Sequence, residues 1–533
     1  MLLLALASTL VLLALLLFSA SSHNVQIPGA LHLPTFPLVG HAFLVQNNPA
    51  RQFMAWARKY QRPSFVIRLG TRPVLVVNSH SQVSELWLRH SQATGSRPLF
   101  HTFHNVVSAT QGFTVGSTPA GASCQRKKKC IGKQLSGKYV DSQWGCRIVD
   151  LHSRMFIQHH LRKSVSSSYY SRTPHNDVSL LRPAQYFVLG CALHYTYGFR
   201  LHPYGPHSSL ADTVADTENT IIRLRSPLAN YQDYIPGGRC LAWLFSPTAQ
   251  MAAKSRDIYM GQFMKQFEAD FARGSESAMS CLLGRVYSDP TSSLTSSEIA
   301  SLCLSMVSAG LDNIALNYDH LMGHLARPPE GYKMQERLFR ELLSIYGDLG
   351  TAWRKVATEQ ASVYALALIH ETMRYFTVLP LSLPRETTKE VVFAGMIVPK
   401  GTMLLMNAYA ANHDWKVFQR PYSFFPDRWI DENYNIVPES TLRHFAFGAG
   451  SRKCTGVALA VKELYVLLCR TVLTFQVRRP VDPNKQMIMD PFEANSCPSA
   501  TSFEPKEFKV WLRRRHHPGS SELRHEILFS YGR

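Results

Sequence analysis

Phe447-Gly448-Ala449-Gly450-Ser451-Arg452-Lys453-Cys454-Thr455-Gly456 sets a single cysteine behind a glycine-rich turn, and the apolar run Val457 to Phe475 follows at helical spacing. A cysteine at a helix start stands in the positive end of the helix dipole. That field lowers its pKa and favours the thiolate, which is a soft metal ligand. A lone cysteine after an ordinary turn is more often buried and inert. The choice between the two readings depends on what the rest of the chain carries.

The chain has 533 residues, 45% of them hydrophobic and 18% charged, a composition that folds rather than one that stays disordered. Ten cysteines without regular spacing do not make a disulfide framework, and no Cys/His cluster has zinc spacing. The net charge of +20 favours acidic partners, such as an anionic membrane surface or an acidic protein. It is too dispersed, and too free of basic-aromatic modules, for nucleic acid.

Leu2 to Phe18 is almost wholly apolar and uncharged, which fits either a spanning helix of about 17–25 residues or a signal-peptide core. Residues 1–20 are assigned as a membrane anchor and 21–47, with Pro28, Pro34 and Pro37, as a stiff linker. The region 48–515 reads as one domain and 516–533 as a polar tail. Within the domain, Ser64 to Val77 forms a hairpin pattern around Gly70-Thr71, and residues 97–116 read as a loop. Arg126-Lys127-Lys128-Lys129 sits in a helical stretch, either as a solvated face or as a contact for anionic groups. Thr295-Ser296-Ser297-Glu298 is a capping box, and the helix it opens extends to about Ala326. Inside that helix, Ala309-Gly310 lets a flat ligand approach the backbone, with Asp312 and Asn313 beside it. A helix with a packing glycine satisfies the same residues. Further on, Glu371 and Arg374 share a helix face. Short strands follow at Val391-Val392-Phe393 and Met403-Leu404-Leu405-Met406.

Four signals thus stand in fixed order: Ala309-Gly310-x-Asp312, Glu371-x-x-Arg374, Phe424-x-Pro426-x-Arg428, and the Phe447 to Gly456 stretch. Their order and spacing resemble the cytochrome P-450 superfamily of haem-thiolate monooxygenases. The resemblance implies a mainly α fold with small β-sheets, preceded by a single N-terminal membrane helix. By the same resemblance, Cys454 is the proximal ligand of haem b, with Phe447 packed near it. Gly450 and Gly456 permit the tight loop and bring amides toward the sulfur. Arg452 and Arg385 meet the haem propionates. Glu371, Arg374 and Arg428 form a structural triad. The family's Trp-x-x-x-Arg is not intact: Cys124 stands at the tryptophan and Lys128 at the arginine.

Gln111 to Gly116, Asn230 to Pro236, His444 to Gly448 and Cys497-Pro498 are similar to fungal hydroxylases of phenylacetate and of cresol-type aromatics. This implies a small aromatic or polyketide-like substrate, oxidised with O2 in secondary metabolism or aromatic catabolism. Family position puts Phe100 to Phe113, Ala309 and Val378 to Leu381 around the substrate. Electrons are expected from NADPH through NADPH–cytochrome P-450 reductase, docking on Arg126, Lys127, Lys129 and Lys453. The chain is expected as a monomer on the endoplasmic reticulum membrane, its catalytic domain facing the cytosol.

One position departs from the family. A threonine that helps hold water and deliver protons is replaced by Asn313. Asparagine keeps hydrogen-bonding capacity without the hydroxyl. It is compatible with proton delivery through an ordered water, with electron-independent isomerase or dehydratase chemistry, or with a haem-binding homologue of impaired oxygen activation.

Overall fold

The computed structural model describes residues 9, 26–110, 112–170, 177–228, 230, 233–234 and 247–529, without the side chains of 164–170. The anchor assigned to residues 1–20 lies outside them except for Thr9, as does most of Asn230 to Pro236.

Helices dominate: α1 Pro49–Lys59, α2 Ala122–Gln134, α3 Gln143–Tyr170, α4 Leu181–Tyr197, α5 Ser208–Leu224, α6 Pro247–Ala272, α7 Ser296–Leu325, α8 Glu330–Tyr346, α9 Val363–Phe376, α10 Val457–Thr474 and α11 Ser520–Phe529. The strands are β1 Ser64–Leu69, β2 Arg72–Val77, β3 Asp177–Val178, β4 Arg385–Glu386, β5 Val391–Phe393, β6 Met396–Val398, β7 Met403–Met406, β8 Phe475–Arg478 and β9 Val510–Arg514.

The main core joins α3, α4, α7, α9 and α10 through residues such as Phe156, Val188, Met306, Tyr318, Leu368 and Leu468. At its centre runs α7, opened by the capping box: Thr295 N donates to Glu298 Oε2 at 3.1 Å and Glu298 N to Thr295 Oγ1 at 3.3 Å. By length and hydropathy α7 would pass for a membrane span, yet 67% of its apolar window is buried inside the protein. It is a core helix. From Lys462 onward the α10 helix is buried on all sides, and its cations find partners: Lys462 Nζ donates to Asp141 Oδ1 at 2.8 Å and Arg470 Nη1 to the Asp150 carbonyl at 2.8 Å.

The largest sheet has the order β1-β2-β7-β4. β2 lies between antiparallel β1 and parallel β7, and Val74 to Val77 are fully buried, as an unbroken apolar run requires when both faces are covered. Arg385 pairs with Leu404 at the sheet end, and that register delivers its guanidinium to the Ala449 carbonyl of the cysteine loop.

Two boundary assignments are corrected. Residues 26–47 are not a free linker: Leu33 N donates to the Val66 carbonyl at 3.0 Å, His41 N to the Arg68 carbonyl at 2.7 Å, and Ile27 and Val45 are buried. The proline-rich segment covers the open edge of β1, whose backbone groups need partners. The polar tail is α11, with Leu523 and Ile527 on one face, buried, and Gln158 Nε2 donating to the Ile527 carbonyl. Two apolar residues at i and i+4 suffice to dock a helix whose composition is otherwise polar.

Candidate active site

The cysteine loop is built by its backbone. Gly450 has φ +56°, and a Cβ there would stand 2.1 Å from the Trp87 carbonyl oxygen, so only glycine fits. Gly456 is different: its φ is −94° and a Cβ would make ordinary contacts at 3.6 Å and beyond. What Gly456 supplies is its amide, which donates to Cys454 Sγ at 3.4 Å. The Cys454 amide donates to the Phe447 carbonyl at 2.9 Å, closing the loop under the sulfur. Among the described cysteines Cys454 alone is exposed. Burial by the surrounding protein nonetheless raises its thiol pKa, against the lowering from the Gly456 amide and Lys453. Metal binding, which takes the deprotonated ligand, would release the proton.

Beside the loop is a set of cations without carboxylates. Arg452 donates to the Gly95 carbonyl at 2.5 Å and the Thr118 carbonyl at 2.8 Å, Arg385 to Ala449 and Lys128 to Ser451. Arg97 joins them, donating to the Gly116, Leu383 and Pro384 carbonyls at 2.8, 2.7 and 2.6 Å. Burial lowers the pKa of all four, and neighbouring arginines add to it for Arg97, Lys128 and Arg385, the last falling to about 9. Arg385 Nη1 and Arg452 Nη1 are buried without any partner. Clustered, partly orphaned guanidinium groups fit bound carboxylates, as an accessible thiol fits a metal. The residues present therefore fit haem: Cys454 would hold its iron, and Arg385, Arg452, Lys128 and Arg97 would meet its propionates. Arg97 escaped the sequence reading because it sits in an irregular segment with no motif around it.

Helix α7 faces this region through a short opening. Residues 301–307 are buried, then Ser308, Ala309, Gly310 and Asn313 are accessible, and burial resumes from Ile314. The segment 113–118 bridges helix and loop: Ser305 Oγ accepts from Val115 N at 2.8 Å, and Arg452 reaches Thr118. Asn313 Nδ2 donates to the Ala309 carbonyl at 2.8 Å, a back-bond of the i to i−4 kind that a threonine hydroxyl makes. Its Oδ1 and second N–H stay available.

Asp312 points the other way, buried, and accepts from Gln185 Nε2 at 3.0 Å. Burial raises its pKa from 3.8 to about 7. Burial likewise raises Asp319 to about 8 and Glu463, beside Cys191, to about 8. Native protein holds these protons where the unfolded chain has lost them. Their contribution to stability is complete below the unfolded values near 4 and is lost as pH rises through the folded ones. The melting temperature should therefore fall from about pH 5 to about pH 8, and Asp319→Asn should flatten the fall, measured by differential scanning fluorimetry.

The remaining predicted groups divide. Glu371, Arg374 and Arg428 do meet: Glu371 accepts from Arg374 Nη2 at 2.8 Å and Arg428 Nε at 3.1 Å, all three buried or nearly so. The basic face does not hold as drawn from charge alone. Lys127 is buried, donating to Thr118 Oγ1 at 2.6 Å and Ser301 Oγ at 3.0 Å, and Lys128 turns inward. Arg126 is paired with Glu298 and Lys453 with Glu439, which leaves Lys129 as the exposed, uncommitted cation of that set. Of the expected substrate contacts, Phe100, Phe103 and His104 line one cavity and Pro380 and Leu381 another.

The cytochrome P-450 family model matches residues 31–501. Phenylacetate 2-hydroxylase of Emericella nidulans is 34% identical over 490 residues, covering 92% of this chain and 91% of its own. 3-Hydroxyphenylacetate 6-hydroxylase of the same organism is 30% identical over 491 residues, covering 91% and 89%. The likeness runs well beyond the cysteine loop, through the sheet, α7 and the Glu371 triad that hold it in place. With nearly the whole chain matched in this way, the protein belongs to the cytochrome P-450 family and is a monooxygenase.

Proposed function

We propose that this monooxygenase hydroxylates a small aromatic substrate, consuming one O2 and one NADPH and releasing water with the hydroxylated product. The observation that carries the reading is the pairing of an exposed Cys454 thiol with the opening at Ala309 in an otherwise buried helix. The names of the two relatives, both hydroxylases of phenylacetates, support the substrate class. Haem b, when bound, supplies the oxygen chemistry, and the protein supplies ligand, orientation and control of water. Cys454 is the iron ligand, its sulfur tuned by the Gly456 amide.

Electrons come from NADPH through a separate reductase, for which Lys129 is the remaining basic contact. The apolar leader from Leu2 to Phe18 supports anchorage in the endoplasmic reticulum membrane. Purified protein with reductase and a panel of phenols and phenylacetates tests the activity. Product formed without matching NADPH and O2 consumption would sink it.

Asn313 takes the threonine's place by the same back-bond and keeps Oδ1 and one N–H to hold a water. Asn313→Ala should lower product formed per NADPH by about tenfold, less than the roughly hundredfold or more that a direct proton-transferring side chain contributes, because Asn313 acts through a held water. Asn313→Thr, which restores a back-bonding hydroxyl, should stay within about twofold of the parent. Both are read as coupling ratios. A large gain in the threonine variant would mark the asparagine as a handicap.

A further inference from the structure

One cation near the site has no counterpart in the haem arrangement. Arg225 follows α5 and lines a cavity with Phe100, Phe103, His104, Leu383 and Thr501. Its guanidinium lies 5.5 Å from the Phe103 ring centroid, and its Nη2 would be 3.6 Å from a Cβ on Gly116, so the glycine leaves it room. Arg225 forms no ion pair among the described residues, and every Asp and Glu of the chain is among them. The carboxylate whose charge reaches it is spoken for: Glu218 accepts from Arg256 at 2.9 and 2.6 Å and from Tyr259 Oη at 2.5 Å. Arg256 and Arg97 add positive charge around it. A guanidinium among aromatic and aliphatic walls, with no anion of its own, is the recognition set for an organic anion with an apolar ring.

We propose that Arg225 binds the carboxylate of an aryl carboxylic acid substrate, with Phe100 and Phe103 against its ring. This rests on the aromatic hydroxylase reading and deepens it. The acid group would enter this cavity and fix which ring carbon is presented, so Arg225 is a specificity-determining residue. The same chemistry could come from a haem propionate, and the experiment separates the two.

Holoprotein is titrated with benzoate, phenylacetate and 3-phenylpropionate and with their neutral amides, and binding is followed by the Soret spectral shift. Wild type should bind at least one acid about tenfold or more tighter than its amide, as expected for a charged hydrogen-bonded pair. Arg225→Gln should bring that ratio close to one, and Arg225→Lys should keep part of it. Wild type with no preference for any acid overturns the proposal without reference to a variant. So does an unchanged ratio in Arg225→Gln, or loss of haem from Arg225→Gln but not from Arg225→Lys, which would give the arginine to a propionate. Product analysis separates the two readings. Neutral aromatics hydroxylated with no acid preference would leave the hydroxylase and remove the Arg225 role. Arginine-dependent binding of an acid with no hydroxylated product would do the reverse.

Discussion

Cys454→Ser protein should fold as stably as the parent and catalyse nothing. Cys454 Sγ accepts one amide hydrogen bond, at 3.4 Å, and the side chain is exposed in its opening. A serine oxygen can accept the same bond, so stability without haem should change by no more than about 0.5 kcal/mol. The ligand chemistry is another matter. A thiolate pushes electron density onto haem iron in a way an alkoxide or alcohol does not match. Turnover should drop by at least about a thousandfold, which is about 4 kcal/mol of barrier. The carbon monoxide difference spectrum of the reduced protein checks the cause, since the band of a thiolate-ligated haem should vanish. Haem itself should still bind, more weakly, because Arg385, Arg452 and Lys128 keep their hydrogen bonds to backbone carbonyls beside the loop and would still meet the propionates. A Cys454→Ser protein that kept the thiolate band and its activity would remove Cys454 from the iron.

What the chain spells out and what it hides have a common physical origin. The cysteine loop was legible because a tight turn constrains residue types locally: Gly450 has no alternative at φ +56° under the Trp87 carbonyl. The capping box, the hairpin and the long α7 were legible for the same reason, since each is specified by neighbours in sequence. Arg97 and Arg225 were not, because their meaning depends on partners far along the chain. Arg97 reaches Leu383 and Pro384, and Arg225 is defined by the carboxylate it lacks. Charge alone misled at Lys127. A run of four basic residues on a helix must send its side chains to different faces, and one of them turned into the core beside Ser301. Composition misled at both ends of the domain, where proline and polar residues nonetheless cover a strand edge and dock a helix.

Glu371→Gln should have the largest effect on the fold, although the residue touches neither thiol nor substrate cavity. Its carboxylate accepts five hydrogen bonds: from Arg374 Nε and Nη2 at 2.9 and 2.8 Å, Arg428 Nε at 3.1 Å, Phe425 N at 2.8 Å and Trp429 Nε1 at 2.9 Å. Both guanidinium groups also hold carbonyls of the segment 412–423, so Glu371 is the charge that lets two cations sit inside the protein. Glutamine removes that charge and turns one acceptor into a donor facing donors. Breaking a buried pair in this way costs about 3–5 kcal/mol. Net stability of a domain is about 5–15 kcal/mol, so the variant should be close to unfolding at working temperature. Arg374 and Arg428 tie α9 to the segment leading into the cysteine loop, so haem retention should fall with the melting temperature. The contrast with Cys454→Ser is the test of the assignment. Serine at 454 should abolish activity at constant stability, while glutamine at 371 should lose activity only in step with folded, haem-loaded protein. A well-folded, fully loaded Glu371→Gln protein with low turnover would move Glu371 from the scaffold to the chemistry.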